Sequence, residues 1–267
     1  MSSSAAVPSW FPSDDAALYV YAIVAANSRS PLGVDGIEDQ PVHWLAHDGF
    51  GVAASVVDPS DWTGEAGAEH LKDLSWVGPR AYRHERVVEA VMEAHAAVYP
   101  ARFGTLYSAP DRLRQTLDAR GDLLQDFLAS VEGTAEWAVK GLVDREQAAN
   151  RGNAPDDESG TAYLQRKQAE QEATAALDEW LDEVAEALFD PLAAQADEAR
   201  VLSVPADAGR DREVAFNWAF LVPGDRADAF RSAVQTQSAR YADEGVTLDL
   251  TGPWPPYNFR PSLEEDA

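Results

Sequence analysis

Apolar residues recur along this chain at two periods, and the changes of period mark its elements. Leu18-Tyr-Val-Tyr-Ala-Ile-Val-Ala25, rich in β-branched and aromatic side chains, predicts a strand. Asn27, Pro31, Gly33, Gly36 and Pro41 make 26–41 a loop with room for a short strand. From Val42 to Val57 two apolar runs flank Asp48-Gly49, a dipeptide that favours a tight hairpin turn. Residues 58–79 are turn-rich and show no clear period. Val87, Val88, Val91, Met92 and Val98 keep helical spacing over about 80–98, with Pro100 as the stop. Arg102–Tyr107 reads as extended. Ser108 is placed to cap the next helix, with Pro110 in its first turn. Leu113, Leu117, Leu123, Leu124, Phe127, Leu128 and Val131 carry that helix to about Glu132, with Gly121 as a point of bending.

The second half follows a cleaner rhythm. Glu136–Val143 predicts a strand and 149–160 a loop rich in Asn, Gly, Pro and Asp. A long helix spans about Ala162 to Phe189, its stripe of Leu164, Ala173, Leu177, Trp180, Leu181, Val184 and Leu188 opposed by an acidic face and stopped by Asp190-Pro191. A short strand at Arg200–Val204, a loop over 205–212 and a strand at Val214–Val222 come next. A helix from Pro223-Gly224-Asp225 to about Tyr241 and a strand from Val246 to Thr251 complete the order β-α-β-β-α-β, a ferredoxin-like arrangement. The chain thus divides into a flexible Ser/Ala/Pro-rich arm over 1–16, an amino-terminal α+β domain over 17–131 and a carboxy-terminal β-α-β-β-α-β domain over 132–267. The expected fold class is α+β with two domains.

Composition narrows the chemistry. At 267 residues and 45% hydrophobic content, both domains can bury a core. The absence of cysteine removes disulfides, thiolate metal sites, iron–sulfur clusters and cysteine nucleophiles together. With 46 acidic against 21 basic residues the formal charge is −25, a surface that repels phosphate backbones and argues against nucleic acid. Only Lys72, Lys140 and Lys167 are lysines, which suits work in concentrated salt, though a GC-rich genome also produces it. No run approaches the roughly 18–20 apolar residues of a spanning helix, and the amino terminus lacks the pattern of a secretory signal, so no membrane insertion is expected.

Candidate catalytic and metal groups do not assemble into a motif. His43 and His47 are spaced i,i+4, but in a strand-and-turn context where their side chains need not converge. His84 and His95 are about three helical turns apart, too far to share an ion; a polar contact from the helix to the rest of its domain is the plainer reading of His84. Asp156-Asp157-Glu158 lacks the ordered spacing of a calcium loop and reads as a solvated acidic loop. No nucleophile elbow, phosphate loop or dinucleotide fingerprint is present. The chain is therefore read as a non-enzyme with no cofactor and no metal.

Two segments stand out in composition. In Tyr99-Pro-Ala-Arg-Phe-Gly-Thr-Leu-Tyr107, an arginine among aromatics suggests an ordered segment with Arg102 paired to a carboxylate or a carbonyl, or simply a helix–strand junction. In Leu250-Thr-Gly-Pro-Trp-Pro-Pro-Tyr-Asn-Phe259, Gly252 and the prolines are expected to force the chain out of regular structure, and Trp254, Tyr257 and Phe259 offer large apolar area. Arg102, Phe103, Trp254, Tyr257 and Phe259 are accordingly the candidate protein-contact or interdomain residues.

Taken with Tyr19-Val-Tyr21, the block from His84, Val87 and Val88 to Pro100, Arg102, Phe103, Gly104 and Thr105, the segment Gly160-Thr-Ala-Tyr-Leu164 and Phe220-Leu-Val222, the final aromatic block makes the chain resemble the gas vesicle synthesis family GvpF/GvpL. The resemblance covers nearly everything after the first 16 residues. It implies a modified ferredoxin-like amino-terminal domain, a carboxy-terminal α+β domain and no catalytic residues. It also implies an accessory role in gas vesicle assembly through binding the small hydrophobic wall protein GvpA, with other accessory gas vesicle proteins as further candidate partners. The alternative it leaves is a minor structural component of the shell or its nucleation complex. Either role places the protein at the gas vesicle or in the cytoplasm.

Overall fold

Strand β1 (Ala17–Val24) is buried along its whole length, as a nearly unbroken apolar run demands of a strand covered on both faces. The computed structural model describes residues 7–12, 15–25, 32–149, 163–204 and 213–263. The expected loop over 205–212, most of that over 149–160, and residues 1–6 and 13–14 of the expected arm lie outside the described residues. β1 pairs antiparallel with β3 (Phe50–Val57), which turns back on β2 (His43–His47). The hairpin turn is Asp48-Gly49, at φ 43° and 85°; two successive positive φ values are what a two-residue turn of the favoured twist needs. The other side of β1 takes two short strands, β4 (Tyr99–Pro100) and β5 (Leu106–Tyr107). The sheet order is β2-β3-β1-β4, with β5 also on β1.

A bulge at Tyr21 breaks the β1–β3 register between Val20 and Ala22 and moves the face assignment by one residue. Ala17, Tyr19 and Tyr21 therefore share a core with Ala22 and Val24. That core is closed by Val87, Val88 and Val91 of helix α2 (Leu74–Ala94), which follows the short helix α1 (Gly64–His70). α2 starts earlier than its apolar stripe suggests, because Asp73 caps it by accepting from the Ser75 amide at 2.8 Å, and it accommodates Pro79. It ends at Ala94, where His95 turns extended, so Val98 reaches the core from the connection and not from the helix.

Helix α3 (Pro110–Ser130) covers the opposite face. Ile23 and Tyr99 are register partners on that face, and the Tyr99 ring meets Phe127 of α3 edge-on at 5.6 Å. Ser108 does not cap α3: Ala109 holds the cap position without a side-chain bond, and Pro110 and Asp111 supply the favourable first turn. Gly121 does not interrupt the helix.

The second sheet has the order β7-β8-β6-β9, built from β6 (Thr134–Val143), β7 (Glu198–Val201), β8 (Glu213–Pro223) and β9 (Val246–Trp254). Its helices are the short α4 (Arg145–Ala149), the long α5 (Tyr163–Ala193) and α6 (Ala227–Tyr241). Phe216, Trp218, Phe220 and Val222 alternate along β8 into a core with Leu181, Val184 and Leu188 of α5 and Phe230 and Val234 of α6. Asp190-Pro191 does not stop α5. A proline in a helix interior costs about 3 kcal/mol, and this one sits in the last turn, where burying Leu192 returns about 1.5–3 kcal/mol. Likewise Gly252 and Pro253 do not end regular structure: β9 runs on to Trp254, and an edge strand can spare the amide a proline lacks.

The chain forms two compact units, each with its own sheet and helices, a mixed α+β fold. One comprises Ala135–Pro253; the other comprises Met1–Thr134 together with Trp254–Ala267. The tail from Trp254, which the sequence places in the carboxy-terminal domain, thus groups with the amino-terminal unit.

Candidate functional site

The Arg102–Thr105 segment is a tight turn, not an extended strand. The Thr105 amide and its Oγ1 both donate to the Arg102 carbonyl, at 3.0 and 2.8 Å, and Gly104 sits at φ 83°, where a side chain would be strained. The turn is pinned to β1: the Gly104 amide donates to the Tyr19 hydroxyl at 2.9 Å. Tyr19 Oη also lies 3.0 Å from His84 Nδ1. His84 is thus the polar tie from helix to sheet that its position suggests. Burial lowers its pKa to about 4, with the Arg260 charge adding to the fall and the Ala101 carbonyl opposing it, so the ring is neutral at pH 7.

The five candidate contact residues have different surroundings. Phe103 points into the Tyr19 cluster, its ring 5.5 Å from Trp62 and 5.9 Å from His84. Tyr257 packs against the same core and donates from its hydroxyl to Glu85 Oε2 at 3.0 Å. Burial, reinforced by the Glu85 carboxylate, raises the Tyr257 pKa and keeps the phenol protonated. Burial likewise raises the Glu85 pKa, against the pull of the Tyr257 bond and with the push of Glu89. Phe259 is only 5% exposed. Beyond it, the Tyr99 hydroxyl donates to the Pro261 carbonyl at 2.9 Å and accepts from Arg260 Nη1 at 3.2 Å. Tyr257 and Phe259 are therefore fasteners of the amino-terminal unit. Trp254 alone of the three remains open, at 36% exposure.

Of the two readings of its segment, Arg102 follows the plain junction and not the pairing. Its guanidinium is exposed and makes no ion pair or hydrogen bond among the described residues; only its carbonyl anchors the turn. The histidines likewise stay apart: His47 Nε2 meets Asp118 at 2.6 Å, His43 stacks on Trp10, and His70 Nδ1 faces the Asp61 carbonyl. Among the described residues no group of three His, Asp or Glu could hold a metal ion, and no helix is long and apolar enough to cross a membrane. Asp156-Asp157-Glu158 lies outside the described residues. Sequence reasoning misses Trp62, at the centre of the Tyr19 cluster, because it lies in a turn-rich stretch without periodicity.

Comparison with known proteins gives a consistent picture. The family model described as "Gas vesicle synthesis protein GvpL/GvpF" matches residues 17–261. Gas vesicle protein L of a Streptomyces strain is 28% identical, over 96% of this chain and 97% of its own length. Gas vesicle protein L1 of Halobacterium salinarum is 26% identical, over 92% and 90%. Among solved structures, GvpF from Anabaena superposes with a TM-score of 0.73 at 21% identity, covering 91% of this chain and 95% of that one. GvpF from Microcystis aeruginosa gives 0.68 at 21% identity, over 91% and 98%. At these identities the structures speak to the fold.

Proposed function

Since the chain belongs to the gas vesicle synthesis protein family GvpL/GvpF, whose members are accessory, non-catalytic proteins of gas vesicle assembly, we propose that it binds the small hydrophobic wall protein GvpA and supports its incorporation into the vesicle wall. The observation that carries this reading is the family match over 17–261, a span that includes every candidate contact residue. A wall subunit exposes apolar surface until it joins the wall, and a carrier with a net charge of −25 keeps such a complex dispersed. Binding along a sheet edge fits that task, because backbone pairing holds an extended segment whatever its side chains. Trp254, exposed at the end of edge strand β9, supplies apolar area for such a contact. Other accessory gas vesicle proteins are further partners in this reading. The element order and the β7-β8-β6-β9 sheet support a ferredoxin-like carboxy-terminal domain, beside a modified ferredoxin-like amino-terminal one.

The test is affinity capture from cells assembling vesicles, at their native salt, comparing the wild-type chain with Trp254→Ala after circular dichroism has established that both are folded. The wild type captures GvpA and the variant captures less. Undiminished capture by the variant moves the contact away from Trp254 and leaves the function standing. If the wild type captures no gas vesicle protein, or is found only in washed, finished vesicles, the carrier reading is overturned, in the latter case in favour of a shell component.

A further inference from the structure

In a chain with more than two acidic residues for every basic one, one groove has arginines as its only charged lining among the described residues. The groove, about 820 Å³, is lined in the amino-terminal unit by the turn and strand from Arg102 to Tyr107, by one face of α3, and by Trp62 and Leu263. The α3 face presents Arg112, Gln115, Thr116, Ala119 and Arg120, whose spacings of three and four put them in one stripe. None of the described residues lining the groove is acidic. Two acids of the same helix are engaged elsewhere, Asp111 with Arg114 at 2.7 Å and Asp118 with His47 at 2.6 Å. Arg112 shares a hydrogen bond with the neutral Gln115 at 3.3 Å, and Arg102 has no ion pair among the described residues. A recess of about 50 Å³ shares Arg102, Thr105, Tyr107 and Leu263 with the groove and adds Arg260. The Arg260 Nε is buried without a hydrogen-bond partner among the described residues.

We propose that this groove binds an extended acidic segment of a partner protein, its carboxylates seated on Arg102 and Arg112 and an apolar side chain resting on Phe103 and Leu106. Guanidinium forks match carboxylates in shape as well as charge, and arginine is the cation used wherever that match matters. A long polyanion such as a nucleic acid fits poorly, because the rest of a −25 surface repels it along its length, whereas a peptide with interleaved carboxylates carries its charge only where the groove receives it. The proposal rests on the reading that this chain works by binding another protein, and adds to it a surface and a chemistry.

The test uses the purified full chain, so that it can fail independently of capture from cells. Fluorescence anisotropy follows a short labelled peptide alternating glutamate with leucine, the same peptide with glutamine for glutamate, and a labelled oligothymidylate. The glutamate peptide binds, the glutamine peptide binds at least about tenfold more weakly, and added salt weakens the former. Arg102→Gln with Arg112→Gln, both exposed and outside the core, weakens the glutamate peptide about tenfold or more, while Arg102→Lys with Arg112→Lys retains part of the affinity. Equal binding of the two peptides, undiminished binding by the glutamine variant, or equally tight binding of the oligothymidylate overturns the proposal. So does binding that appears only when the chain is shortened to end at Leu263, because the residues that follow, Glu264-Glu265-Asp266, would then be the occupant.

Discussion

Tyr257→Phe removes one oxygen and leaves the ring, so it isolates the bond to Glu85 from the packing around it. A hydrogen bond to a carboxylate contributes about 1.5–3 kcal/mol, and the half-buried Glu85 can recover part of that from water, leaving an expected loss on the order of 1–2 kcal/mol at neutral pH. With no cavity created, the loss stays well below the roughly 3–5 kcal/mol of truncating an aromatic to alanine. The loss depends on pH in a defined direction. Glu85 has a folded pKa above its ordinary value, so its contribution is fullest below the ordinary glutamate range and is lost as the pH rises through the folded value. Removing the Tyr257 hydroxyl removes a downward pull and raises that pKa further. The penalty relative to wild type is therefore larger at neutral pH than in acid, where Glu85 is protonated in both proteins. Two units need not unfold together, so the readout is hydrogen exchange at the amides of β1, which reports the amino-terminal unit alone. An unchanged exchange rate at pH 7, or a penalty of the same size in acid, refutes the reasoning.

Two further outcomes follow from the geometry. Gly141 of β6 faces the Phe216 ring, and an added Cβ there falls 2.1 Å from ring carbons that are themselves stacked on Trp218; Gly141→Ala should cost the carboxy-terminal unit about 1–3 kcal/mol in urea unfolding. Adding Phe216→Ala should return part of that cost, a coupling on the order of 0.5–3 kcal/mol, and strict additivity of the two would count against the clash. His84, with a folded pKa of about 4 against an ordinary 6.5, contributes stability that is complete above about pH 6.5 and lost as the pH falls towards 4. An NMR titration of its ring should show a midpoint near 4, and a midpoint near 6.5 would remove the buried, neutral assignment.

What could be read from the chain alone followed from local physics. The Asp48-Gly49 turn, the strand at Val214–Val222 and the α5 stripe from Leu177 to Leu188 are set by neighbours in sequence, and the structure has them. The discrepancies come from distant partners. Pro191 looks like a stop until Leu192 is known to be buried, and Gly252-Pro253 looks irregular until β9 is known to be an edge strand. The same limit governs the sites. Aromatic content marked Trp254, Tyr257 and Phe259 as a set, but only the fold separates an open indole from two internal fasteners. The three arginines of the groove lie up to 18 positions apart on a turn and a helix, and no spacing rule connects them before the chain has folded.

The amino-terminal unit is discontinuous in sequence: its body ends at Thr134 and its last piece begins at Trp254, with the other unit inserted between. A ribosome therefore delivers all of Ala135–Pro253 before it delivers the residues that finish what Ala17 began. Until Tyr257 and Phe259 emerge, the amino-terminal core lacks the packing of Tyr257 and Glu85 lacks its hydroxyl partner. The nascent chain thus completes its inserted unit while the unit that started first still waits, and the closing step joins residues more than 160 positions apart.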